Sequence, residues 1–177
     1  MWPDSAMVRS GKPLFLPDSS PQAIAIGFGA VITGVGKTIQ PKFASRYFDS
    51  LMPMAFRLNK ADSLMISQGI SPLASGFVED FSVLVGNPTA VTGLEAILEL
   101  RISISDRNEN PIFNDFTKID DWTLKMHEAI AAASVRNTLK TGDIVAFISD
   151  TSLAVRPENR LHVSFGDAGP LLDIKFK

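Results

Sequence analysis

The segment from Thr33 to Thr38 contains the residue types that phosphate-binding loops use. It reads Thr-Gly-Val-Gly-Lys-Thr and follows an apolar stretch with the alternation of a strand. In such loops, Gly-Lys-Thr supplies a lysine to the phosphates and a hydroxyl to magnesium. The pattern also needs a glycine where this chain has Val31, and Pro41 interrupts the helix whose amino end should hold the phosphates. We therefore expect a turn here and not a nucleotide site.

The two histidines are the only imidazoles available for base catalysis or for binding a metal. Helical spacing places His127 on the exposed flank of a helix, and His162 alternates outward from two apolar neighbours, so solvated positions are expected for both. Their distance in sequence defines no Ser-His-Asp arrangement. Asp120 and Asp121 are interpreted as residues that cap and charge the start of the helix. No catalytic residue, metal ligand or cofactor is predicted from these groups.

Composition narrows the class of protein. The 177 residues with 45% hydrophobic side chains can bury one substantial core, which predicts a single domain over residues 1–177. The chain has 17 Lys and Arg residues and 19 Asp and Glu residues, and its basic residues form no continuous stripe. Nucleic acid is therefore not an expected partner. The absence of cysteine fits a reducing, cytoplasmic setting. No apolar stretch is long enough for export or for crossing a membrane, so neither is expected.

The elements that must position any site are mostly strands. Period-two alternation between turn residues predicts strands over residues 23–32, 81–85, 98–104, 144–148, 161–165 and 172–176. In the first of these, Ile24, Ile26 and Phe28 occupy one face, whereas alanines and glycines occupy the other. A short helix is predicted over residues 41–51, and one strong helix is predicted after Asp121.

Several segments occur along the chain in an order that is typical of one protein family. They are Phe15-Leu16-Pro17, Val35-Gly36-Lys37, Lys42-Phe43-Ala44-Ser45-Arg46-Tyr47-Phe48-Asp49, Val83-Leu84-Val85-Gly86, Thr138-Leu139-Lys140-Thr141-Gly142-Asp143-Ile144 and Leu171-Leu172-Asp173-Ile174-Lys175-Phe176. Together they resemble the fumarylacetoacetate hydrolase family, which includes isomerases, hydrolases and decarboxylases of β-dicarbonyl and enol acids. The resemblance implies a mostly β fold with mixed β/α content, a β-roll or sandwich with short helices, and assembly as a homodimer.

The same resemblance implies that this chain lacks the family's metal ligands. The Glu-x-Glu pair of the family falls on Ala25 and Gly27, and its aspartate falls on or very near Phe56. A methyl group, a hydrogen and a phenyl ring offer no oxygen to a hard cation. We interpret this as an apolar filling of the former metal site. On this interpretation, Ala25→Glu, Gly27→Glu and Phe56→Asp together should restore some cation affinity.

Substrate positions of the family are also altered. The lysine of its Lys-x-Phe-Asp segment falls on Phe77, and its Gly-Thr-Pro loop falls on residues 148–150, where Ser149 keeps a hydroxyl beside Asp150. Phe77 is expected to join Phe56 over the small face formed by Ala25 and Gly27.

Two functions follow from the resemblance. The first is a non-catalytic member of the family that acts as a structural or regulatory protein, or that binds a small molecule, as a homodimer or with a related subunit. The alternative is a residual, metal-independent isomerase, decarboxylase or hydrolase of a small oxo acid. In that case Arg57, Lys60, Ser149 and Asp150 are the polar groups that remain for the chemistry.

Overall fold

The computed structural model of the chain describes residues 4–16, 21–58, 80–94 and 98–177. These residues form eleven strands, one α-helix and three short 3-10 helices. The α-helix, α1, is Trp122–Arg136, and the 3-10 helices are Asp4–Ala6, Pro41–Arg46 and Val91–Gly93. The strands are β1 (Met7–Arg9), β2 (Pro13–Leu14), β3 (Gln22–Ile32), β4 (Phe48–Leu58), β5 (Val83–Val85), β6 (Thr89–Ala90), β7 (Leu98–Ser105), β8 (Pro111–Ile119), β9 (Ile144–Val155), β10 (Arg160–Phe165) and β11 (Leu172–Phe176).

The strands form two sheets. The first has the order β1-β5-β4-β3-β9, with β6 beside β4, and β3 pairs antiparallel with both β4 and β9. The second has the order β2-β11-β10-β7-β8. Both sheets are mostly antiparallel, with parallel pairing at β1–β5 and β2–β11. The mostly β architecture with few helices confirms the predicted fold class.

The main core lies against the bulky face of β3, as its alternation predicts. Ile24, Ile26 and Phe28 are fully buried there. The same cluster includes Leu100 and Ile102 from β7 in the second sheet. Because each sheet presents one apolar face to this cluster, burial of those faces stabilises both sheets together.

The predicted helix over residues 41–51 is wrong beyond its first turns. Only Pro41–Arg46 is helical, and β4 begins at Phe48 and continues through Pro53. Proline is tolerated because β4 changes neighbours at this point, from β6 before it to β5 after it. The Pro53 carbonyl accepts a hydrogen bond from the Gly86 amide at 2.9 Å. The nitrogen of Pro53, which has no hydrogen to donate, faces the gap between β6 and β5.

The start of α1 agrees with the sequence pattern, but its capping does not. Asp121 occupies the position before the helix in a left-handed conformation, with φ of 50°, and makes no side-chain capping hydrogen bond. Its charge still lies near the amino end of the helix, where a carboxylate is favourable. The prediction that Asp121 caps the helix through its side chain is therefore wrong. Within the described residues, α1 and the short helices are not long and apolar enough to cross a membrane.

Candidate functional site

The positions implied for the family's metal ligands lie together on one face of the first sheet. Ala25 on β3 is directly opposite Phe56 on β4, and Gly27 is directly opposite Met54. This face is the one turned away from the main core, because side chains alternate along each strand. The pairing of β3 with β4 therefore brings Ala25, Gly27 and Phe56 into one neighbourhood.

Apolar side chains fill this neighbourhood. We call the following residues the far-face cluster, and all of them are buried: Ala25, Met52, Met54, Phe56, Leu58, Val83 and Val85. Phe56 is 4% exposed and Met54 is 1% exposed. The sequence interpretation missed Met54, although the apolar residues at even positions from Met52 to Leu58 carry the signal of a strand face.

Gly27 is required by the close approach of β9. A Cβ built on Gly27 would overlap the carbonyl oxygen of Phe147 and lie 3.0 Å from the Cα of Ile148. Backbone atoms cannot move aside as a flexible side chain can. The space beside Gly27 is thus filled by the backbone of β9. The expected rescue of cation affinity stays a prediction, and it requires β9 to move, because Gly27→Glu cannot be accommodated without displacing that strand.

An irregular stretch of β9 lies beside the same positions. Ala25 pairs with Ser152 and Gly27 pairs with Ile148, so the one residue between them on β3 faces three residues of β9. Ser149 lies in this bulge, and its hydroxyl donates a buried hydrogen bond of 2.7 Å to the carbonyl of Ile26. The Ile26 carbonyl lies where the bulge interrupts the regular pairing of β3 with β9, and the Ser149 hydroxyl supplies a hydrogen bond to it there.

We expect Ser149→Ala to lower the free energy of unfolding by about 1–3 kcal/mol, because it leaves a buried carbonyl without its donor. Chemical denaturation of the variant beside the wild type measures the loss. Ser164→Ala is the matched control, since that hydroxyl makes a longer bond of 3.3 Å to the Gly166 carbonyl and is only partly buried. Equal stability of the two serine variants would contradict a special role for Ser149.

The remaining candidate residues do not all join this neighbourhood. Arg57 alternates with Phe56 onto the opposite face of β4, and its guanidinium donates a hydrogen bond of 3.2 Å to the Asp80 carbonyl. Asp150 lies in β9, but its side chain is outside the described set. Lys60 and Phe77 lie outside the described residues, so the predicted approach of Phe77 stays a prediction.

The donor set does not fit the divalent cation that the resemblance implies. Mg²⁺ and Mn²⁺ prefer carboxylate and carbonyl oxygens, whereas the far-face cluster offers hydrocarbon and the thioethers of Met52 and Met54, which are soft donors. In the described ranges, no three His, Asp or Glu side chains are grouped so as to hold a metal ion. We derive no chemical step through a metal at these positions.

His127 does not occupy the solvated position that helical spacing predicts. It is half-buried, its ring meets Phe48 edge-on with centroids 5.9 Å apart, and its buried Nε2 has no hydrogen-bond partner in the described part of the chain. Burial lowers the pKa of His127 below its ordinary value of 6.5, because the charged ring would lose solvation. The second histidine, His162, faces outward from β10 as predicted.

Acid should therefore destabilise the fold through His127. Since the folded-state pKa is lowered, the neutral ring is favoured in the folded state, and this contribution is present above a pH of about 6.5 and is lost as pH falls toward the folded pKa. We expect His127→Phe to reduce the loss of stability between about pH 7 and pH 5, measured by denaturation at each pH. His162→Gln keeps His127 and should retain the loss. An unchanged pH profile in His127→Phe would contradict this assignment.

The Gly-Lys-Thr segment forms a turn, as predicted. Gly36 makes an isolated antiparallel bridge to Leu139, and Thr38 adopts a left-handed conformation with φ of 55°. The segment leads into the 3-10 helix Pro41–Arg46 and not into an α-helix. The helix amino end that a phosphate-binding loop requires is thus missing from this position.

The two sheets and the short helices form a fold that this chain shares with solved structures of the fumarylacetoacetate hydrolase family. Structural comparison finds this fold in solved structures that match 99% of the chain. The predicted resemblance is thereby confirmed at the level of the fold.

Three of these solved structures illustrate the likeness. Fumarylpyruvate hydrolase from Pseudomonas aeruginosa, in complex with Mn²⁺ and pyruvate, has a TM-score of 0.73 and 19% identity, with 76% of its chain covered. 2-Hydroxyhepta-2,4-diene-1,7-dioate isomerase from Mycobacterium marinum has a TM-score of 0.71 and 20% identity, with 66% covered. Maleylpyruvate hydrolase from Sphingobium has a TM-score of 0.71 and 16% identity, with 64% covered. No protein-family model and no curated relative matches the sequence.

Proposed function

We propose that this chain is a non-catalytic protein built on the fumarylacetoacetate hydrolase fold, with apolar residues in the place of the metal site. The observation that carries the proposal is the pairing of Ala25 with Phe56, both buried in the far-face cluster. A carboxylate introduced among these side chains would be costly without a cation, since burying an unpaired charge is strongly unfavourable. On this proposal residues 1–177 act as one domain, which is supported by a core shared between the two sheets.

An activity assay tests the proposal against its alternative. The neighbours named as hydrolases and isomerases give the substrates to use, and fumarylpyruvate and maleylpyruvate are the first choices. We expect no turnover above background, with or without added Mn²⁺. Turnover that is independent of metal would favour the alternative, a residual hydrolase, isomerase or decarboxylase of a small oxo acid. Turnover that depends on Mn²⁺ would reject the apolar filling itself.

The alternative has fewer groups at its disposal than the sequence indicated. The hydroxyl of Ser149 bonds the Ile26 carbonyl, and Arg57 lies on the opposite face of β4 from Phe56. A hydroxyl engaged with the backbone can act on a substrate only if that bond breaks, which raises the cost of reaching a reactive state. This arrangement supports the hypothesis of a non-catalytic protein over that of a residual enzyme.

We further propose that the chain forms a homodimer or pairs with a related subunit. Support comes from the far face of β9, where Ile144, Ala146 and Ile148 pack beside the far-face cluster yet stay partly exposed. A second subunit could cover them, and a specific interface buries about 800 Å² per partner. Light scattering should report a dimer at micromolar concentration, and a monomer would reject the pairing.

A further inference from the structure

A polar cleft lies on the outer face of the second sheet, on the opposite side of that sheet from the main core. It has a volume of about 130 Å³ and is floored by β7, β8 and β10 and walled by the segment between β10 and β11. Its polar lining is Arg101, Ser103, Asn114, His162 and Ser164. None of the motifs recognised in the sequence brought these residues together.

Strand register creates a row of polar side chains across four neighbouring strands. Ser103 on β7 is directly opposite Asn114 on β8 and directly opposite His162 on β10, and His162 is in turn opposite Asp173 on β11. Directly opposite residues have Cβ atoms about 5 Å apart, so neighbouring members of the row can contact the same small molecule.

The His162 ring lies beside the carboxylate at the end of the row. Its Nε2 lies 3.4 Å from Oδ1 of Asp173. Two hydrogen bonds from Arg160, of 2.9 and 2.8 Å, hold that carboxylate and keep the pKa of Asp173 below its ordinary value. Because Nε2 faces Asp173, Nδ1 is the ring nitrogen that remains for a molecule in the cleft.

Several groups in the cleft have unused hydrogen-bonding capacity. Among the described residues, the side chains of Ser103 and Asn114 have no hydrogen-bond partner. Arg101 donates through Nε to Glu99 at 2.6 Å, and its Nη1 forms an ion pair with Asp167 at 2.8 Å, which leaves Nη2 available. The cleft therefore offers a hydroxyl, an amide, an imidazole nitrogen and part of a guanidinium to one ligand.

The Ser103–His162–Asp173 row is not arranged as a catalytic triad. No hydrogen bond joins Ser103 to His162 in the described part of the chain, and Asp173 is already paired with Arg160. Strand β7 is paired on both sides, so its backbone amides are engaged in the ladders and cannot form an oxyanion hole. The row is thus better suited to binding than to acyl transfer.

Charge balance decides which ligand fits. Arg101 lies between two carboxylates and Asp173 is paired with Arg160, so the cleft has no strong excess of either sign. Phe116, opposite Arg101 and 52% exposed, adds an apolar ring at the edge of the same face.

We propose that the cleft binds a small uncharged polyhydroxy compound, such as a monosaccharide. Adjacent hydroxyls both donate and accept, which matches Asn114, Ser103 and Nδ1 of His162.

The two histidines allow a direct test by NMR of the imidazole resonances. D-Glucose and D-ribose are titrated into the full chain, with acetate and phosphate as anionic probes. We expect a saturable shift of the His162 resonance with a millimolar Kd, while the resonance of His127 stays in place as an internal control. A shift that never saturates, or equal shifts of both histidines, would overturn the proposal. Saturable binding of acetate or phosphate but of neither sugar would overturn the choice of an uncharged ligand.

Variants tie the binding to the cleft. Asn114→Ala and Ser103→Ala should each weaken sugar binding about tenfold, the effect of one lost hydrogen bond. Ser105→Ala is the matched control, because Ser105 is on the same face of β7 but does not line the cleft. Ser103 is partly exposed and Asn114 is exposed, so the variants should fold normally. Unchanged affinity in both Asn114→Ala and Ser103→Ala would also overturn the proposal.

Discussion

Phe56→Ala should lower the free energy of unfolding by about 3–5 kcal/mol, the usual cost of removing a buried phenyl ring. The ring is 4% exposed and lies opposite Ala25 in the far-face cluster. With only a methyl group facing it, no neighbouring side chain on β3 is large enough to fill the cavity that the substitution leaves. Denaturation with urea, followed by circular dichroism, measures the loss.

Phe15→Ala is the matched control for this prediction. Phe15 is 70% exposed, so its truncation should change stability by no more than about 0.5 kcal/mol. If Phe56→Ala were as stable as Phe15→Ala, the ring would not be part of a packed filling. The interpretation of the far-face cluster would then be wrong.

Gly27→Ala should be at least as damaging, with a loss of about 3 kcal/mol or more. The added methyl group would overlap the Phe147 carbonyl oxygen and approach the Ile148 Cα to 3.0 Å, so β9 must move away from β3. That movement disturbs the hydrogen bonds on both sides of the bulge. Soluble yield and thermal melting of the variant measure the effect, and failure to fold is the extreme form of the expected result.

Gly169→Ala serves as the control for Gly27→Ala. A Cβ at Gly169 meets no atom within 4 Å, so the substitution should leave the melting temperature nearly unchanged. Normal melting of Gly27→Ala would contradict the close approach of β9. It would also reopen the possibility that a glutamate side chain fits at this position.

The parts of the fold that could be predicted are those in which local pattern and tertiary packing agree. The alternation of Ile24, Ile26 and Phe28 predicts both the strand and its buried face. The helix after Asp121 is predicted equally well, because its apolar spacing matches the face that it buries. In these elements one periodicity carries all the information.

The errors arose where neighbouring strands decide the structure. Pro53 suggests the end of a helix, and only the gap between β5 and β6 explains how it fits into β4. Strand β8 was missed because it is an edge strand with few buried positions, so its sequence has no clear alternation. His127 was predicted to be solvated because helical spacing does not reveal that Phe48 packs against it.

The candidate site was predictable only in part. The resemblance pointed to Ala25, Gly27 and Phe56, which the pairing of β3 with β4 brings into one neighbourhood, and their descent from metal ligands stays a prediction. It did not indicate Met54, nor the backbone of β9 beside Gly27, because both depend on strand register. The polar row from Asn114 to Asp173 could not be predicted from the sequence either, since its members are distant in sequence and meet only through strand register.

Titration with Mn²⁺ tests the central claim most directly, because the metal accompanies pyruvate in the Pseudomonas aeruginosa hydrolase that shares the fold. Calorimetry on the purified full chain, with electron paramagnetic resonance to count free Mn²⁺, reports the number and affinity of bound ions. The apolar side chains of the far-face cluster predict no saturable binding up to millimolar Mn²⁺. Binding of one Mn²⁺ per chain with a micromolar Kd would contradict the account.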